Sequence, residues 1–164
     1  MLCIAGPEGI YLLEFVSQKN IETQKKEICK ALGDEIGPRS NKHVTAARLQ
    51  LREYFRGKKQ YFNLPLIFIG TPFQIKVWEQ LRSVPYGKTT SYLQLAKAIG
   101  KRKGVRAVAG ANARNKLAIV IPCHRVIGLN GAMVGYAGGL EKKRSLLMLE
   151  RSIAGPKDLF SGKK

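Results

Sequence analysis

The sequence has no apolar run approaching the ~20 residues of a membrane-spanning helix. Its start, Met1-Leu2-Cys3-Ile4-Ala5-Gly6-Pro7-Glu8, also lacks the basic and long apolar segments of a secretory leader. A cytoplasmic protein with no membrane partner is expected. Cysteine is scarce: three residues at no repeated spacing exclude a disulfide framework and fit a reducing compartment in which a free thiol survives. Cys3, Cys29 and His43 are too scattered for the close ligand pairs of a zinc site, so neither a metal nor another cofactor is expected. Acids are scarce too, with 11 Asp and Glu against 29 Lys and Arg and a net charge of +18. Residues 80–140 contain no acid at all, yet they hold Arg82, Lys88, Lys97, Lys101, Arg102, Lys103, Arg106, Arg114, Lys116 and Arg125. A solvated basic face is the commoner origin of such a run, but excluding every carboxylate from it makes a double-stranded nucleic acid the better reading.

What is present is a globular composition, 45% hydrophobic over 164 residues, enough for one well-buried core or two small domains. Residues 2–5 and 10–16 are apolar runs around Gly6-Pro7-Glu8-Gly9, a hairpin pattern. Residues 20–32 are helix-compatible, with Ile21, Ile28, Ala31 and Leu32 as an apolar stripe. Val44, Ala47, Leu51, Tyr54 and Phe55 recur at helical steps up to Gly57, and residues 62–68 form a strand or extended linker. Thr71-Pro72-Phe73-Gln74 combines an N-cap, a first-turn proline and a capping box, and Phe73, Val77, Trp78 and Leu81 form the inner face of that helix. Ser91-Tyr92-Leu93-Gln94 repeats the capping logic for a helix that buries Leu95, Ala96 and Ile99. The basic turn Lys101-Arg102-Lys103-Gly104 leads into a second, Ala-rich helix over 105–114, a helix-turn-helix pattern, with Arg106 at the end that would approach a groove. A last helix over 140–153 turns Leu146, Leu147, Leu149 and Ile153 inward, and the polar tail 154–164 is expected to be mobile. The fold class is α/β (α+β): a small N-terminal antiparallel sheet with helices over 1–67, then a mainly helical domain over 68–164.

Between the Ala-rich helix and the glycine-rich stretch 128–139 lies the segment with the most chemistry. Residues 117–121, Leu-Ala-Ile-Val-Ile, have the composition of a buried strand, ended by Pro122. The turn that follows presents Cys123, His124 and Arg125 in succession, a thiol beside two groups able to favour its anion, which is the nucleophilic form. An inert buried cysteine is the commoner outcome. Neighbours in an extended chain point to opposite faces, so His124 would act on Cys123 through a water rather than directly. With no acid in 80–140, a carboxylate partner for His124 comes from Glu141, Glu150 or the N-terminal part, and Glu150 on an apolar helix is a partly buried acid in need of a partner.

The motifs Pro122-Cys123-His124-Arg125-Val126, Ser91-Tyr92, Arg106-Ala107-Val108, Asn115, Gly135-Tyr136-Ala137-Gly138-Gly139 and Glu150 resemble the C-terminal domain of the O6-alkylguanine-DNA alkyltransferases, strongly over residues 70–151 and more loosely before them. The resemblance implies a monomeric repair protein that binds double-stranded DNA by the minor groove and flips out an alkylated guanine, and it leaves open whether O4-alkylthymine is a further substrate. The alkyl group then moves irreversibly to Cys123. It implies that His124 deprotonates Cys123 through a water while Glu150 orients the ring, that Tyr92 assists the leaving guanine, and that Asn115 ties the second helix to the cysteine turn. Arg106 would fill the gap left by the flipped base, with Thr90, Ser91, Tyr92, Arg114 and Arg125 contacting DNA and Val126, Tyr136, Ala137 and Gly138 lining the pocket. Some members carry serine where Ala137 stands, which implies slower or differently selective transfer here. Members also begin several residues earlier, so a shortened first strand is expected. Three other readings stay open: a non-catalytic lesion-binding protein, a cysteine hydrolase and a helix-turn-helix regulator. Covalent modification of Cys123 separates the first reading from these.

Overall fold

The computed structural model describes residues 1–33, 37 and 41–155, so most of the tail expected to be mobile lies outside the described residues. Strand β1 (Leu2–Ala5) pairs antiparallel with β2 (Ile10–Glu14). Every residue of β2 is buried. Gly9 is required at its entry, because a Cβ there would stand 2.6 Å from the Pro65 carbonyl oxygen. With that approach open, the Ile10 N–H donates to the Pro65 carbonyl at 2.8 Å and the Ile67 N–H to the Ile10 carbonyl at 2.9 Å. The segment expected as strand or linker is thus an extended stretch laid along β2.

Helix α1 (Ile21–Leu32) buries Gln24 and Ile28, one helical turn apart, against the sheet. Ala31 and Leu32, expected inside, are exposed; the burial of this helix ends at Ile28. Helix α2 (Lys42–Phe55) starts where the Asn41 side chain accepts from the His43 and Val44 N–H groups at 3.0 Å each. Its inner stripe is Ala47, Leu51 and Tyr54. Phe55 was expected on that stripe but is 48% exposed, being one residue, about 100° of helix rotation, beyond Tyr54.

Helices α3 (Pro72–Arg82) and α4 (Tyr92–Ala98) begin as their sequences predict. In each a complete capping box forms, Thr71 with Gln74 and Ser91 with Gln94. Helix α5 (Val105–Ala113) packs on both, with the Trp78 indole N–H donating to the Ala111 carbonyl at 2.8 Å. A two-residue strand, β3 (Thr90–Ser91), pairs in parallel with β4 (Val126–Ile127). That pairing ties the start of α4 to the end of the cysteine turn. Helix α6 (Leu140–Ala154) closes the chain against that turn.

The expected strand at 117–121 does not form. The Leu13 N–H donates to the Lys116 carbonyl at 2.9 Å and the Ala118 N–H to the Leu13 carbonyl at 2.7 Å, so only its first residues lie along β2. Ile119 then takes a φ of 72°, and the chain folds back until the Ile121 N–H meets the Leu117 carbonyl at 2.9 Å. A β-branched residue in the left-handed region is strained by about 1–3 kcal/mol. Burial of Leu117, Ile119 and Ile121 offsets it, at about 1.5–3 kcal/mol per side chain.

One core joins both halves of the chain: Ile10, Leu13, Ala47, Leu51 and Tyr54 pack in the same cluster as Val77, Trp78, Leu81, Val108, Ile121 and Leu146. The boundary expected at residue 67 falls in the extended segment between α2 and α3. Among the described residues no helix is long and apolar enough to cross a membrane.

Candidate active site

The cysteine turn is shaped by Asn115. Its side-chain amide donates to the Ile121 carbonyl and to Cys123 Sγ, both at 3.1 Å, while its oxygen accepts from the Leu117 N–H at 3.0 Å. One side chain thereby fixes both ends of the fold-back and touches the sulfur it delivers. Cys123–Arg125 form a single 3-10 turn, with the Arg125 N–H donating to the Pro122 carbonyl at 2.9 Å.

Behind the turn lies Glu150, fully buried on α6. Oε1 accepts from His124 Nε2 at 2.9 Å, Tyr54 Oη at 2.8 Å and Arg125 Nη2 at 2.9 Å; Oε2 accepts from Arg125 Nε at 2.9 Å and the Gly87 N–H at 3.1 Å. Burial alone would raise this carboxyl, but the hydrogen bonds from His124 and Arg125 and the Arg125 charge hold it down at about 2. A carboxylate can only accept, so His124 carries its hydrogen on Nε2 and the lone pair of the neutral ring is on Nδ1. Burial, helped by the charges of Arg125 and Lys143 and opposed by Glu150, lowers the imidazole below its usual value and keeps it neutral. Nδ1 is buried without a protein partner, the setting in which an ordered water is held.

Arg125, expected at the DNA surface, is instead 6% exposed. Besides its paired bonds to Glu150 it donates to the Val84 carbonyl at 2.6 Å and lies over the Tyr86 ring. It therefore faces away from the thiol and does not promote its ionisation. Burial pushes the Cys123 thiol up to about 12, opposed by the Asn115 hydrogen bond and the Lys143 charge and reinforced by Glu14. The resting group is a thiol, so a base must act during the reaction.

The pocket residues surround this thiol unevenly. Tyr136 packs edge-on against His124 at 6.4 Å between ring centroids, and its hydroxyl is buried without a partner. Val126 is buried, whereas Ala137 is exposed. A Cβ on Gly138 would meet the Tyr136 ring at 2.9 Å. Gly135, at a φ of 52°, leaves room for the Tyr92 hydroxyl, which would stand 2.9 Å from a Cβ there and donates to the Gly135 carbonyl at 3.4 Å. Burial and the nearby Cys123 raise the Tyr92 phenol, and the Asn112 amide opposes them.

Lys143 is absent from the sequence expectation. Fully buried, it donates to the carbonyls of Val126, Val134 and Gly135, stapling the glycine-rich loop to the cysteine turn, and burial lowers its amine to about 8. Its position three, four and seven residues before Leu146, Leu147 and Glu150 was the available signal. Nothing similar marks Tyr54, which reaches Glu150 from the other half of the chain.

Toward the outside, Arg106 and Arg114 are exposed on α5 and at its end, and Thr90 and Tyr92 are half-buried at the start of α4. Ser91 is buried, its hydroxyl accepting from the Gln94 N–H, so its side chain serves the helix cap. Lys116 also turns inward, to Glu27 at 2.9 Å and the Ile69 carbonyl at 3.0 Å. Arg82, Lys97, Lys101, Arg102 and Lys103 are exposed, a basic surface around the helix-turn-helix. Among the described residues no group of His, Cys, Asp and Glu is arranged to hold a metal ion.

A family model described as "6-O-methylguanine DNA methyltransferase, DNA binding domain" matches residues 72–152. The constitutive methylated-DNA–protein-cysteine methyltransferase of Bacillus subtilis is 51% identical over 151 residues, covering 92% of this chain and 88% of that protein. Among solved structures, the Mycobacterium tuberculosis O6-methylguanine methyltransferase is 36% identical with a TM-score of 0.74, covering 95% of this chain and 94% of that one. The structure of Mycobacterium tuberculosis OGT in complex with DNA is 34% identical with a TM-score of 0.72, covering 92% of each chain.

Proposed function

Because the chain belongs to the methylated-DNA–protein-cysteine methyltransferase family, a DNA-repair family acting by alkyl transfer, we propose that Cys123 is the acceptor and that each molecule acts once. The observation that carries this reading is the linked set Asn115–Cys123 and His124–Glu150, which leaves a buried, neutral imidazole with a free nitrogen behind a protonated thiol.

The step balances as follows. A water between them passes the Cys123 proton to His124 Nδ1, and the sulfur pair forms a bond to the alkyl carbon as the carbon–O6 bond breaks. The electrons of that bond go to guanine, which takes a proton from the Tyr92 hydroxyl. The proton on His124 later restores Tyr92 through solvent. Overall the thiol hydrogen ends on guanine and a thioether on Cys123. A thioether offers water no ready leaving group, so the protein is consumed.

To reach the thiol the base must leave the duplex. We assign the flip to α4 and α5 approaching the minor groove, with Arg106 filling the gap, Thr90, Tyr92 and Arg114 on the backbone, and Val126, Tyr136, Ala137 and Gly138 around the base. Exposure of Arg106 and Arg114 and the glycine-lined approach to Tyr92 support this. Arg125 and the Ser91 side chain drop out of that contact set, since both are committed internally. In this reading residues 1–67 buttress the site, residues 68–164 bind DNA and react, and the protein acts as a cytoplasmic monomer with access to the chromosome.

Titrating a fixed amount of protein with duplex carrying one O6-methylguanine tests the stoichiometry. Repair should stop at one lesion per protein molecule. Repeated turnover would overturn the single-use reading, and binding without repair would favour the lesion-binding alternative.

A further inference from the structure

Phe15, half-buried just past β2, belongs to the half of the chain that carries none of the reacting groups, yet its ring backs the wall around Cys123. A Cβ on Gly138 would stand 3.0 Å from Cδ2 and 3.4 Å from Cε2 of that ring, so the Gly138 backbone rests directly on it. The same ring meets Tyr136 edge-on, at 6.4 Å between centroids and 74° between planes. Tyr136 in turn meets the His124 ring edge-on. Two pocket residues, Tyr136 and Gly138, are therefore backed by one side chain from the other half of the molecule.

The two sides of this contact are held differently. The Phe15 N–H donates to Glu14 Oε1 at 2.8 Å, and its carbonyl accepts from the Gln18 N–H at 3.0 Å. Two residues earlier, Leu13 is bonded to Lys116 and Ala118, and Lys142 lies over the Phe15 ring at 5.6 Å. On the loop side, Lys143 ties down the Val134 and Gly135 carbonyls, but that tie ends before Tyr136. The Gly139 N–H bonds back to the Tyr136 carbonyl at 3.0 Å, within the loop itself. The Tyr136 hydroxyl is buried without a partner, so packing against His124 and Phe15, and no polar contact, sets where this ring stands. Cys123 is only 6% exposed, and the room for an alkyl group beside it follows from that ring position.

We propose that Phe15 is a positioning residue that limits the size of the O6-alkyl group Cys123 accepts: it fixes Tyr136 and the Gly138 turn as a wall, and shortening it lets the wall recede. Surroundings relax partway into a space that a deleted side chain leaves, and the Tyr136 ring borders that space. The inference rests on the alkyl-transfer reading for its substrate.

The test measures transfer rates from two duplexes, one carrying O6-methylguanine and one O6-benzylguanine, for wild type, Phe15→Ala, Phe15→Leu and Phe15→Trp. The benzyl-to-methyl ratio should rise by about tenfold in Phe15→Ala, the order of discrimination that a hydrophobic pocket wall supplies. It should rise less in Phe15→Leu and fall below wild type in Phe15→Trp, whose larger ring presses Tyr136 inward. A merely structural role would slow both substrates alike and leave the ratio fixed. Leu12→Ala supplies that comparison, since it thins the separate cluster of Ile4, Tyr11, Leu12 and Ile28 on the same strand, and its ratio should match wild type. Should Phe15→Ala fail to fold, the opposite shifts of the Leu and Trp variants carry the test. An unchanged ratio in the Phe15 variants, or an equal rise in Leu12→Ala, would overturn the proposal. A second reading needs no alkyl transfer: modification at the Cys123 peptide by N-phenylmaleimide relative to iodoacetamide should also rise in Phe15→Ala. That rise, with no transfer of either alkyl group in any form, would refute the alkyl-transfer role of Cys123 and uphold Phe15 as the wall's support.

Discussion

Replacing Glu150 by Gln keeps the side chain's volume and removes the charge on which His124, Arg125, Tyr54 and the Gly87 N–H converge. The cost can be worked two ways. The carboxyl sits at about 2 instead of its usual 4.5, and about 2.5 units at 1.36 kcal/mol each is about 3 kcal/mol of stability at neutral pH. Removing one partner of a buried ion pair strands the other, at about 3–5 kcal/mol. Both point to a loss of about 3 kcal/mol in urea unfolding at about pH 7. A carboxyl depressed by folding stabilises above its unfolded pKa, and that stabilisation fades as pH falls through the folded value. The gap between wild type and Glu150→Gln should therefore be full at neutrality and close between about pH 4.5 and about pH 2. Because the carboxylate also favours protonation of His124, alkyl transfer should slow by about tenfold or more. A loss under about 1 kcal/mol, or a gap that stays constant down to about pH 3, would refute the reasoning.

Three further substitutions probe separate parts. Asn115→Ala removes the only side-chain hydrogen bond to Cys123 Sγ among the described residues, so the thiol should rise further and iodoacetamide modification of Cys123 should slow by about tenfold; an unchanged rate contradicts the assigned role. Lys143→Met strips the staple from the Val126, Val134 and Gly135 carbonyls, and amide exchange over residues 126–136 should accelerate, with a stability loss of about 1–3 kcal/mol. Unchanged exchange would show that the loop is held some other way. Gly135→Ala forces a Cβ against the Tyr92 hydroxyl at a φ of 52°, so transfer should slow while DNA affinity in a gel-shift assay holds; a normal transfer rate would remove Tyr92 from the step.

The helix starts were legible because their signals are local. The capping boxes at Thr71 and Ser91 and the periodicity of Val77, Trp78 and Leu81 describe elements that form as the sequence reads. The burial of Glu150 was legible for a similar reason, as an acid on an apolar helix face. Residues 117–121 misled because composition reports burial, not direction: Leu117, Ile119 and Ile121 are buried as expected, yet hydrogen bonds with Leu13 and Asn115 fold the run back on itself at Ile119. Arg125 misled for a related reason. Its place in a basic run implied an outward charge, while the carboxylate that claims it lies 25 residues later. Tyr54 and Phe15 could not be found from the chain, since their places at the site depend on how the first half packs on the second.

The account's central claim is that Cys123 receives the alkyl group. It is tested most directly by intact-mass analysis after incubation with duplex DNA carrying one O6-methylguanine, with Cys123→Ser alongside. The account predicts a stoichiometric gain of one methylene, mapped to the Cys123 peptide and absent from the variant. No gain, or a gain on Cys3 or Cys29, would contradict it.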